Sequence, residues 1–250
     1  MGLTAPPPLV RVSAEGGVSV VTLADADSSN ALGEAMVAAL SGALTSVGRD
    51  PRTRVVLLDA EGETFSCGAP RDLLLKLARG DGHPSDITLP RALLCCPIPV
   101  IAALEGHATG GGFALGLSAD MVLLSRESRY GFTFMNLGFT PGMGTTRLCE
   151  HVLAPALAHE LLYTGELRRG ADFGRTGVNA VLPREAVRPA ALDMARRIAE
   201  KPRAAVEALK RTLSLPRRTA FEQALTLESL MHQVTLGAAG AARRIEDNYQ

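Results

Sequence analysis

The spacing of hydrophobic positions in this 250-residue chain changes near residue 138. Before that point, short apolar runs alternate with longer amphipathic segments. Residues 9–12 and Val18–Leu23 flank a Glu-Gly-Gly turn at 15–17, which predicts a β-hairpin. Residues 53–58, 98–104 and Met121–Ser125 are continuous apolar runs, typical of strands that are covered on both faces.

Amphipathic segments with helical spacing separate these runs and dominate the last third of the chain. Alternating strands and helices predict parallel βαβ units with right-handed crossovers. We therefore expect one α/β domain over residues 1–250, with a core over about 1–185 and a helical extension over about 186–250. The predicted helices cover residues 31–47, 146–153, 156–163, 184–200, 204–213 and 221–234.

Composition narrows the classes of protein to which the chain can belong. Lys plus Arg and Asp plus Glu both number 26, so charge indicates neither a nucleic acid nor an anionic membrane as partner. We see no signal peptide in the opening MGLTAPPPLV, and no run long enough to span a membrane. The four cysteines have neither metal-ligand nor disulfide spacing. We expect a cytoplasmic protein without a metal.

A glycine-rich segment, EGHATGGGFA at 105–114, joins the second predicted core strand to a helix. Consecutive glycines at a helix start leave backbone N–H groups uncovered, at the positive end of the helix dipole. Such a turn can hold a phosphate or a thioester enolate oxygen. The segment lacks the spacing of a dinucleotide site or a P-loop. A tight turn that only allows close helix–strand packing remains the alternative.

A second glycine-containing loop, TFSCGA at 64–69, follows the preceding core strand. The carboxyl ends of neighbouring parallel strands meet at one edge of a sheet. Two backbone N–H donors from such loops can form an oxyanion hole, which stabilises negative charge on a carbonyl oxygen. The pair of loops therefore favours acyl chemistry over a purely structural turn.

Three segments closely resemble the signatures of the crotonase (enoyl-CoA hydratase/isomerase) superfamily. They are FSCGA at 65–69, EGHATGGG at 105–112 and GFTPGMG at 138–144; SNAL at 29–32 and LYTGE at 162–166 match further family segments in order. The resemblance implies a spiral of β-β-α units and a homotrimer or dimer of trimers. It also implies that the N–H groups of Ala69 and Gly111 bind a thioester carbonyl on CoA or phosphopantetheine, with no other cofactor.

Two departures from the family pattern change the expected chemistry. Hydratases of the family carry two catalytic glutamates, and this chain has Ala114 and Phe134 at those positions. Neither side chain can activate water, so ordinary hydration is not expected. We interpret Glu105 and Glu127, which lie elsewhere, as structural.

The loss of both carboxylates is similar to one subgroup, the decarboxylase of polyketide β-branching cassettes. SRES at 125–128, GFTPG at 138–142 and ESLMH at 228–232 resemble that subgroup in particular. The resemblance implies loss of CO2 from a 3-methylglutaconyl thioester on an acyl carrier protein, through a dienolate. The product would be a 3-methylcrotonyl thioester or its β,γ-unsaturated isomer.

The resemblance also suggests site residues. His232 is the candidate proton donor, since histidine titrates in the useful range; a merely packed histidine is the alternative. The subgroup often has a lysine, and sometimes a tyrosine, on the helix after the first loop, where ungapped alignment places Leu77 and Leu73. Lys76 is one residue away, about 100° around a helix, and is either catalytic or a solvated charge. Leu73, Leu77, Ala114 and Phe134 are expected to line the substrate pocket.

The sequence leaves two alternative functions and one candidate docking surface undecided. An enoyl thioester isomerase would use the same dienolate, and a non-catalytic scaffold would use only the fold. The basic residues that could form a docking patch for an acidic carrier protein, or an ordinary solvated surface, are Arg71, Arg79, Arg211, Arg217 and Arg218.

Overall fold

The computed structural model describes residues 7–81, 88–238 and 240–249. The first six residues, on which the expectation of no signal peptide partly rests, lie outside the described residues. The strands are β1 Val10–Glu15, β2 Val18–Leu23, β3 Val55–Ala60, β4 Thr64–Ser66, β5 Val100–Leu104, β6 His107–Thr109, β7 Met121–Ser125, β8 Arg129–Gly131, β9 Leu167–Arg169 and β10 Ala180–Leu182. The α-helices are α1 Glu34–Arg49, α2 Arg71–Ala78, α3 Leu89–Leu94, α4 Gly111–Leu117, α5 Thr145–Leu148, α6 Pro155–Thr164, α7 Arg184–Ala199, α8 Arg203–Thr235 and α9 Ala241–Asn248.

The larger sheet has the strand order β1-β2-β3-β5-β7-β10. β1 and β2 form the predicted antiparallel hairpin, and the remaining neighbours are parallel. β5 is apolar along its whole length, and β3 is apolar over its first four residues, because both sheet faces are covered there. On one face, α7 packs its small buried residues Ala191 and Ala195 against Val55, Leu57 and Ile101.

The smaller sheet has the order β4-β6-β8-β9, and β4, β6 and β8 are parallel. β4, β6 and β8 each follow a strand of the larger sheet, and a helix comes next, as in β3-β4-α2 and β5-β6-α4. This repeat is the predicted spiral of β-β-α units. It places the ends of β4 and β6, with their glycine-containing loops, side by side.

Several predicted ends of helices and strands differ from those in the structure. α1 begins at Glu34 rather than residue 31, because Gly33 is extended with φ −74° and ψ 170°. β3 is displaced from the predicted 53–58 to Val55–Ala60. The strands β4, β6, β8, β9 and β10 have three residues each, too few to produce a periodic signal.

The prediction of two helices at 204–213 and 221–234 is wrong, because α8 is one helix of 33 residues that continues through Pro216. Proline lacks an N–H and usually breaks a helix, which is why the sequence pattern suggests two. Here the helix is held from both sides of Pro216 by buried side chains that bond to the core.

A buried lysine and a partly buried arginine fasten the first half of α8 to the core. Lys210 Nζ lies 2.6 Å from Asp120 Oδ2 and 3.1 Å from the Leu93 carbonyl oxygen. The Arg217 guanidinium donates to the carbonyls of Leu117 and Ala119 at 2.8 and 2.9 Å, at the C-terminal end of α4. A cation at a helix C-terminus is stabilised by the helix dipole, so Arg217 caps α4 while it anchors α8.

Within residues 7–81, 88–238 and 240–249, no helix combines the length and apolar character that crossing a membrane requires. α8 is long enough, but charged residues recur along it.

Candidate active site

The loop that follows β4 is held by hydrogen bonds on almost every backbone group. Cys67 N–H donates to Ser29 O at 3.0 Å, and Gly68 O accepts from Leu32 N–H at 2.8 Å. Gly68 N–H donates to Ser66 Oγ at 3.1 Å. By contrast, the N–H of Ala69 donates no backbone hydrogen bond within the described part of the chain. One amide in this loop is therefore available to an external acceptor.

The second loop leads from β6 into α4. Gly110 adopts φ 53°, a conformation that favours glycine, and its N–H donates to Gly131 O at 2.9 Å. Gly111 is the first residue of α4, where the N–H has no partner within the helix. Among the described residues, its N–H donates no other backbone hydrogen bond. It is a second available amide.

The two loops touch each other through glycine. A Cβ atom on Gly68, where φ is +81°, would lie 2.9 Å from Gly111 N, and one on Gly112 would collide with the carbonyl oxygen of Ser66. Both positions therefore exclude any side chain. Ala69 and Gly111 line the same cavity, which has a volume of about 550 Å³. The lining of this cavity thus includes two residues whose N–H groups donate no backbone hydrogen bond in the described part of the chain.

Part of the cavity wall is apolar and aromatic. The Phe132 and Phe134 rings are stacked with centroids 6.4 Å apart, and the Phe139 ring meets Phe134 edge-on at 5.9 Å. Apolar walls disfavour a free carboxylate relative to a neutral product. The apolar lining residues are Leu74, Leu77, Phe134, Leu137, Phe139, Met143, Leu167 and Leu236.

His232, on the last part of α8, also lines this cavity. Its Nε2 lies 2.8 Å from the Thr140 carbonyl oxygen. A carbonyl only accepts, so Nε2 carries a hydrogen and Nδ1 of the neutral ring holds the lone pair. Nδ1 is buried and has no hydrogen-bond partner in the described ranges. A buried polar atom without a partner is uncommon and marks the imidazole as a functional candidate.

Glu228 lies one helical turn before His232 and is fully buried. One carboxylate oxygen accepts from Gly144 N–H at 2.7 Å, and the other accepts from the Thr146 N–H and hydroxyl at 2.9 and 2.7 Å. Burial raises the pKa of this carboxyl, while the hydrogen bonds oppose that shift. Glu228 thus fastens α8 to the segment beside Met143 in the cavity wall.

Comparison with known proteins identifies the fold around this cavity. The family model for enoyl-CoA hydratase/isomerase matches residues 13–242. The chain belongs to the enoyl-CoA hydratase/isomerase family. The spiral fold predicted from the sequence is confirmed, since a decarboxylase of the same fold superposes with a TM-score of 0.92.

The relatives in this family include decarboxylases. The bacillaene synthase decarboxylase PksI of Bacillus subtilis is 36% identical, over 95% of this chain and 96% of its own length. The ECH2 decarboxylase domain of CurF from Lyngbya majuscula is 35% identical with a TM-score of 0.92, covering 97% of this chain and 100% of that domain. A structure described as part of a dehydratase/decarboxylase couple in polyketide β-branching is 36% identical with a TM-score of 0.92, covering 96% of both chains. The predicted resemblance to this subgroup is confirmed.

Most of the predicted site residues of this family member do meet at the cavity. Ala69, Gly111, Leu77, Phe134 and His232 all line it. Their roles in catalysis stay predictions, because position alone does not assign a role.

Three predicted residues are placed elsewhere. Lys76 is exposed and does not line the cavity, because Leu77, the next residue of α2, turns towards it. Leu73 is buried on α2, but Leu74 takes the expected place in the wall. Ala114 is packed in the main core and does not line the cavity.

The five arginines do not form one docking patch. Arg217 is partly buried at the end of α4, where it bonds to backbone carbonyls. Arg211 and Arg218 line a separate small pocket of about 180 Å³ near Cys95. Arg71 and Arg79 bond to Glu246 of α9, with nitrogen–oxygen distances of 3.1 and 3.5 Å, and remain beside the main cavity.

The enzyme also places residues in the cavity that the sequence analysis does not select. Tyr249 is the clearest of these, because its hydroxyl donates to Ala69 O at 2.9 Å. Its signal in the sequence is the apolar spacing of Ala241, Ile245 and Tyr249, which is that of a short amphipathic helix. The other polar lining residues are Thr109, Thr133, Asn136, Glu166, Asp247 and Asn248.

Proposed function

We propose that this enzyme is a decarboxylase of polyketide β-branching, which removes CO2 from a 3-methylglutaconyl-type thioester. The observation that carries the proposal is the pair of amides, Ala69 N–H and Gly111 N–H, without backbone partners at one cavity that has an apolar, aromatic part. The decarboxylases among its relatives, alike over nearly the whole chain, support the same reaction.

The chemistry needs a site for one developing negative charge. When the bond between the far carboxylate and its carbon breaks, the bonding electrons move through the alkene onto the thioester oxygen. CO2 leaves, and the substrate becomes a dienolate. The two amides would stabilise that oxygen, and losing one donor from such a site typically costs about 3 to 4 kcal/mol of transition-state stabilisation.

The apolar wall around Phe134 and Phe139 supports the carbon–carbon cleavage. A carboxylate in such surroundings is poorly solvated, whereas CO2 is neutral and loses little. No water has to be activated, so alanine and phenylalanine at the two family glutamate positions are compatible with this reaction.

The proton that completes the reaction is assigned to His232. In the imidazolium form, Nε2–H retains its bond to Thr140 O and Nδ1–H supplies the proton to the carbanionic carbon. The neutral ring that results is the tautomer implied by the Thr140 contact. Nδ1 is shielded from water in the structure, so the ring or its neighbours must shift when substrate is bound.

The substrate carrier in this proposal is the phosphopantetheine arm of an acyl carrier protein, with CoA as a poorer substitute. No further cofactor is required, because the thioester supplies the electron sink. Arg71 and Arg79 on α2, beside the cavity, are the basic side chains of the predicted patch that remain candidates for an acidic partner. The cytoplasm remains the expected location.

We also propose the homotrimer, or dimer of trimers, that the family resemblance implies. α8 leaves six large apolar side chains more than half exposed, which suits a protein interface better than water. Light scattering should give three or six times the monomer mass, and a monomer would contradict this. These side chains are Leu209, Leu213, Leu215, Leu227, Leu230 and Val234.

The test is incubation of the purified enzyme with the 3-methylglutaconyl thioester on a carrier protein and on CoA, followed by mass spectrometry of the acyl group. We expect loss of the mass of CO2, faster from the carrier protein. A shift of the double bond without loss of mass would indicate the isomerase, and no change would indicate a scaffold.

Substitution of His232 tests the proton donor. His232→Ala should lower turnover by about a hundredfold or more, because general acid catalysis contributes that much, and His232→Gln should not restore it. If the histidine is only packed, His232→Ala should lose about 1 to 3 kcal/mol of unfolding free energy and keep its turnover. Thermal melting and single-turnover rates on the same variants separate these outcomes.

A further inference from the structure

The C-terminal helix α9 and the residue after it close one side of the cavity. Asp247, Asn248 and Tyr249 line it. Ile245 is fully buried in the main core, and α9 packs against both α2 and the 3₁₀ turn Met135–Leu137. The last turn of the chain is therefore part of the site, although it lies outside the family segments.

Hydrogen bonds connect this end of the chain to two separate parts of the cavity wall. Arg71 donates to Glu246 O at 3.1 Å on the α2 side. Asn248 Nδ2 donates to Asn136 O at 3.1 Å on the other side. These bonds fix where α9 ends and thus where the ring of Tyr249 lies.

Tyr249 makes the contact with the most direct link to the proposed oxyanion hole. Its hydroxyl donates to Ala69 O, on the residue whose N–H is one of the two candidate donors. The peptide on the other side of Ala69 is held through Gly68 O, which accepts from Leu32 N–H. Two planar peptides meet at the Ala69 Cα atom, and each has one such anchor.

The hydroxyl is suited to permanent donation. Burial raises the pKa of Tyr249 above its ordinary value, so the group keeps its hydrogen throughout the physiological range. Gly68, with φ +81°, has no Cβ atom to restrict rotation about its backbone bonds. A loop with this freedom needs external anchors to hold one amide direction.

We propose that Tyr249 is a positioning residue, which fixes the peptide after Ala69 and thereby keeps the Ala69 N–H aimed at the substrate carbonyl. The inference rests on the proposed function for the identity of the substrate. It assigns a task in the site to the end of the chain, 180 residues beyond the loop that it holds.

The test compares Tyr249→Phe with the control Tyr163→Phe, whose residue is 80% exposed and lies outside the cavity lining. The ring of Tyr249→Phe still fills its place, so the fold and the cavity shape are kept. We expect kcat for decarboxylation to fall about tenfold with KM nearly unchanged, because the lost interaction acts mainly on the transition state. Tyr163→Phe should match the wild type.

A second measurement reports on the hole without any turnover. Binding of crotonyl-pantetheine with a ¹³C-labelled carbonyl should shift its infrared C=O stretch to lower wavenumber, since two N–H donors polarise the bond. We expect a smaller shift in Tyr249→Phe and the full shift in Tyr163→Phe. A full shift and wild-type kcat in Tyr249→Phe would overturn the proposal.

The two measurements keep this inference separate from the proposed function. A wild-type enzyme that binds crotonyl-pantetheine with the shifted stretch but releases no CO2 would refute decarboxylation, and the reduced shift in Tyr249→Phe would still support positioning. Equal shifts in wild type and Tyr249→Phe, with CO2 released by both at the same rate, would refute positioning alone.

Discussion

The two sides of the cavity are held by different kinds of contact. Around Ala69 and Gly111, backbone groups bond mostly to other backbone groups or to a nearby serine, and glycine allows the loops to touch; the Tyr249 hydroxyl on Ala69 O is a contact from a distant part of the chain. Around His232, the wall depends on the buried side chain of Glu228 on α8, which bonds to Gly144 and Thr146. The backbone side can stay the same while substitutions on the other side change the reaction.

The largest effect on turnover should come from disrupting the close contact between the Ala69 loop and the start of α4. Gly112→Ala places a methyl group against Ser66 O, and two backbones cannot both keep their positions. We expect turnover to fall about a hundredfold, as it does when an oxyanion donor is lost, and the free energy of unfolding to fall as well. Denaturant unfolding and single-turnover rates on the soluble variant measure both.

The matched control for this variant is Gly42→Ala in α1. A Cβ there meets no atom within 4 Å, and alanine is the better helix former by about 0.5 to 1 kcal/mol. Gly42→Ala should be slightly more stable than wild type and equally active. A Gly112→Ala enzyme that behaves in the same way would contradict the close contact between the loops.

On the His232 side of the cavity, Glu228→Gln should have an intermediate effect on stability. An amide can accept from Thr146 with its oxygen, but its NH2 group then faces the N–H of Gly144. One buried donor loses its partner, so we expect a loss of about 1 to 3 kcal/mol of unfolding free energy. Chemical denaturation of Glu228→Gln measures this loss.

Glu222→Gln, on the same helix, serves as the control for Glu228→Gln. Glu222 is more than half exposed, where it pairs with Arg91, and such a surface pair contributes about 0 to 1 kcal/mol. Equal losses in the two variants would show that burial of Glu228 is not what makes it important.

The smallest effect should come from Lys76→Ala. The residue is exposed on α2 and outside the cavity, so stability should change by no more than about 0.5 kcal/mol and turnover should stay near wild type. Steady-state rates on the carrier-protein substrate decide this. A large fall in turnover would restore Lys76 as a catalytic candidate and would require α2 to rotate when substrate binds.

The same contrast explains how much of the molecule can be predicted from its sequence. The loops at 67–69 and 110–112 are encoded locally, because glycines at strand ends dictate the backbone there. The core strands are visible for a similar reason, since each is a continuous apolar run. Contacts such as Glu228 with Gly144 and Tyr249 with Ala69 join positions 84 and 180 residues apart, and no local pattern encodes them.

The helical period of 3.6 residues predicts which side chains share a face of a helix, but it does not predict where a helix ends. It correctly separates Leu77 from Lys76 on α2, where one residue changes the exposed face. The period does not reveal that α8 continues through Pro216. The contacts that hold α8 to the core, such as that of Lys210 with Asp120, outweigh the backbone hydrogen bond lost at the proline.

The anchoring of α8 by Arg217 has a consequence for the precision of the site. Arg217 and His232 are 15 positions apart on one continuous helix, which corresponds to about 22 Å along its axis. Over that length, a tilt of about 3° moves the imidazole by about 1 Å, a displacement that can cost an enzyme about a hundredfold in rate. Arg217 also caps α4, the helix that begins at Gly111. The Arg217 guanidinium thus links the helix that carries His232 to the helix that begins at Gly111, and a shift of this side chain would affect both helices.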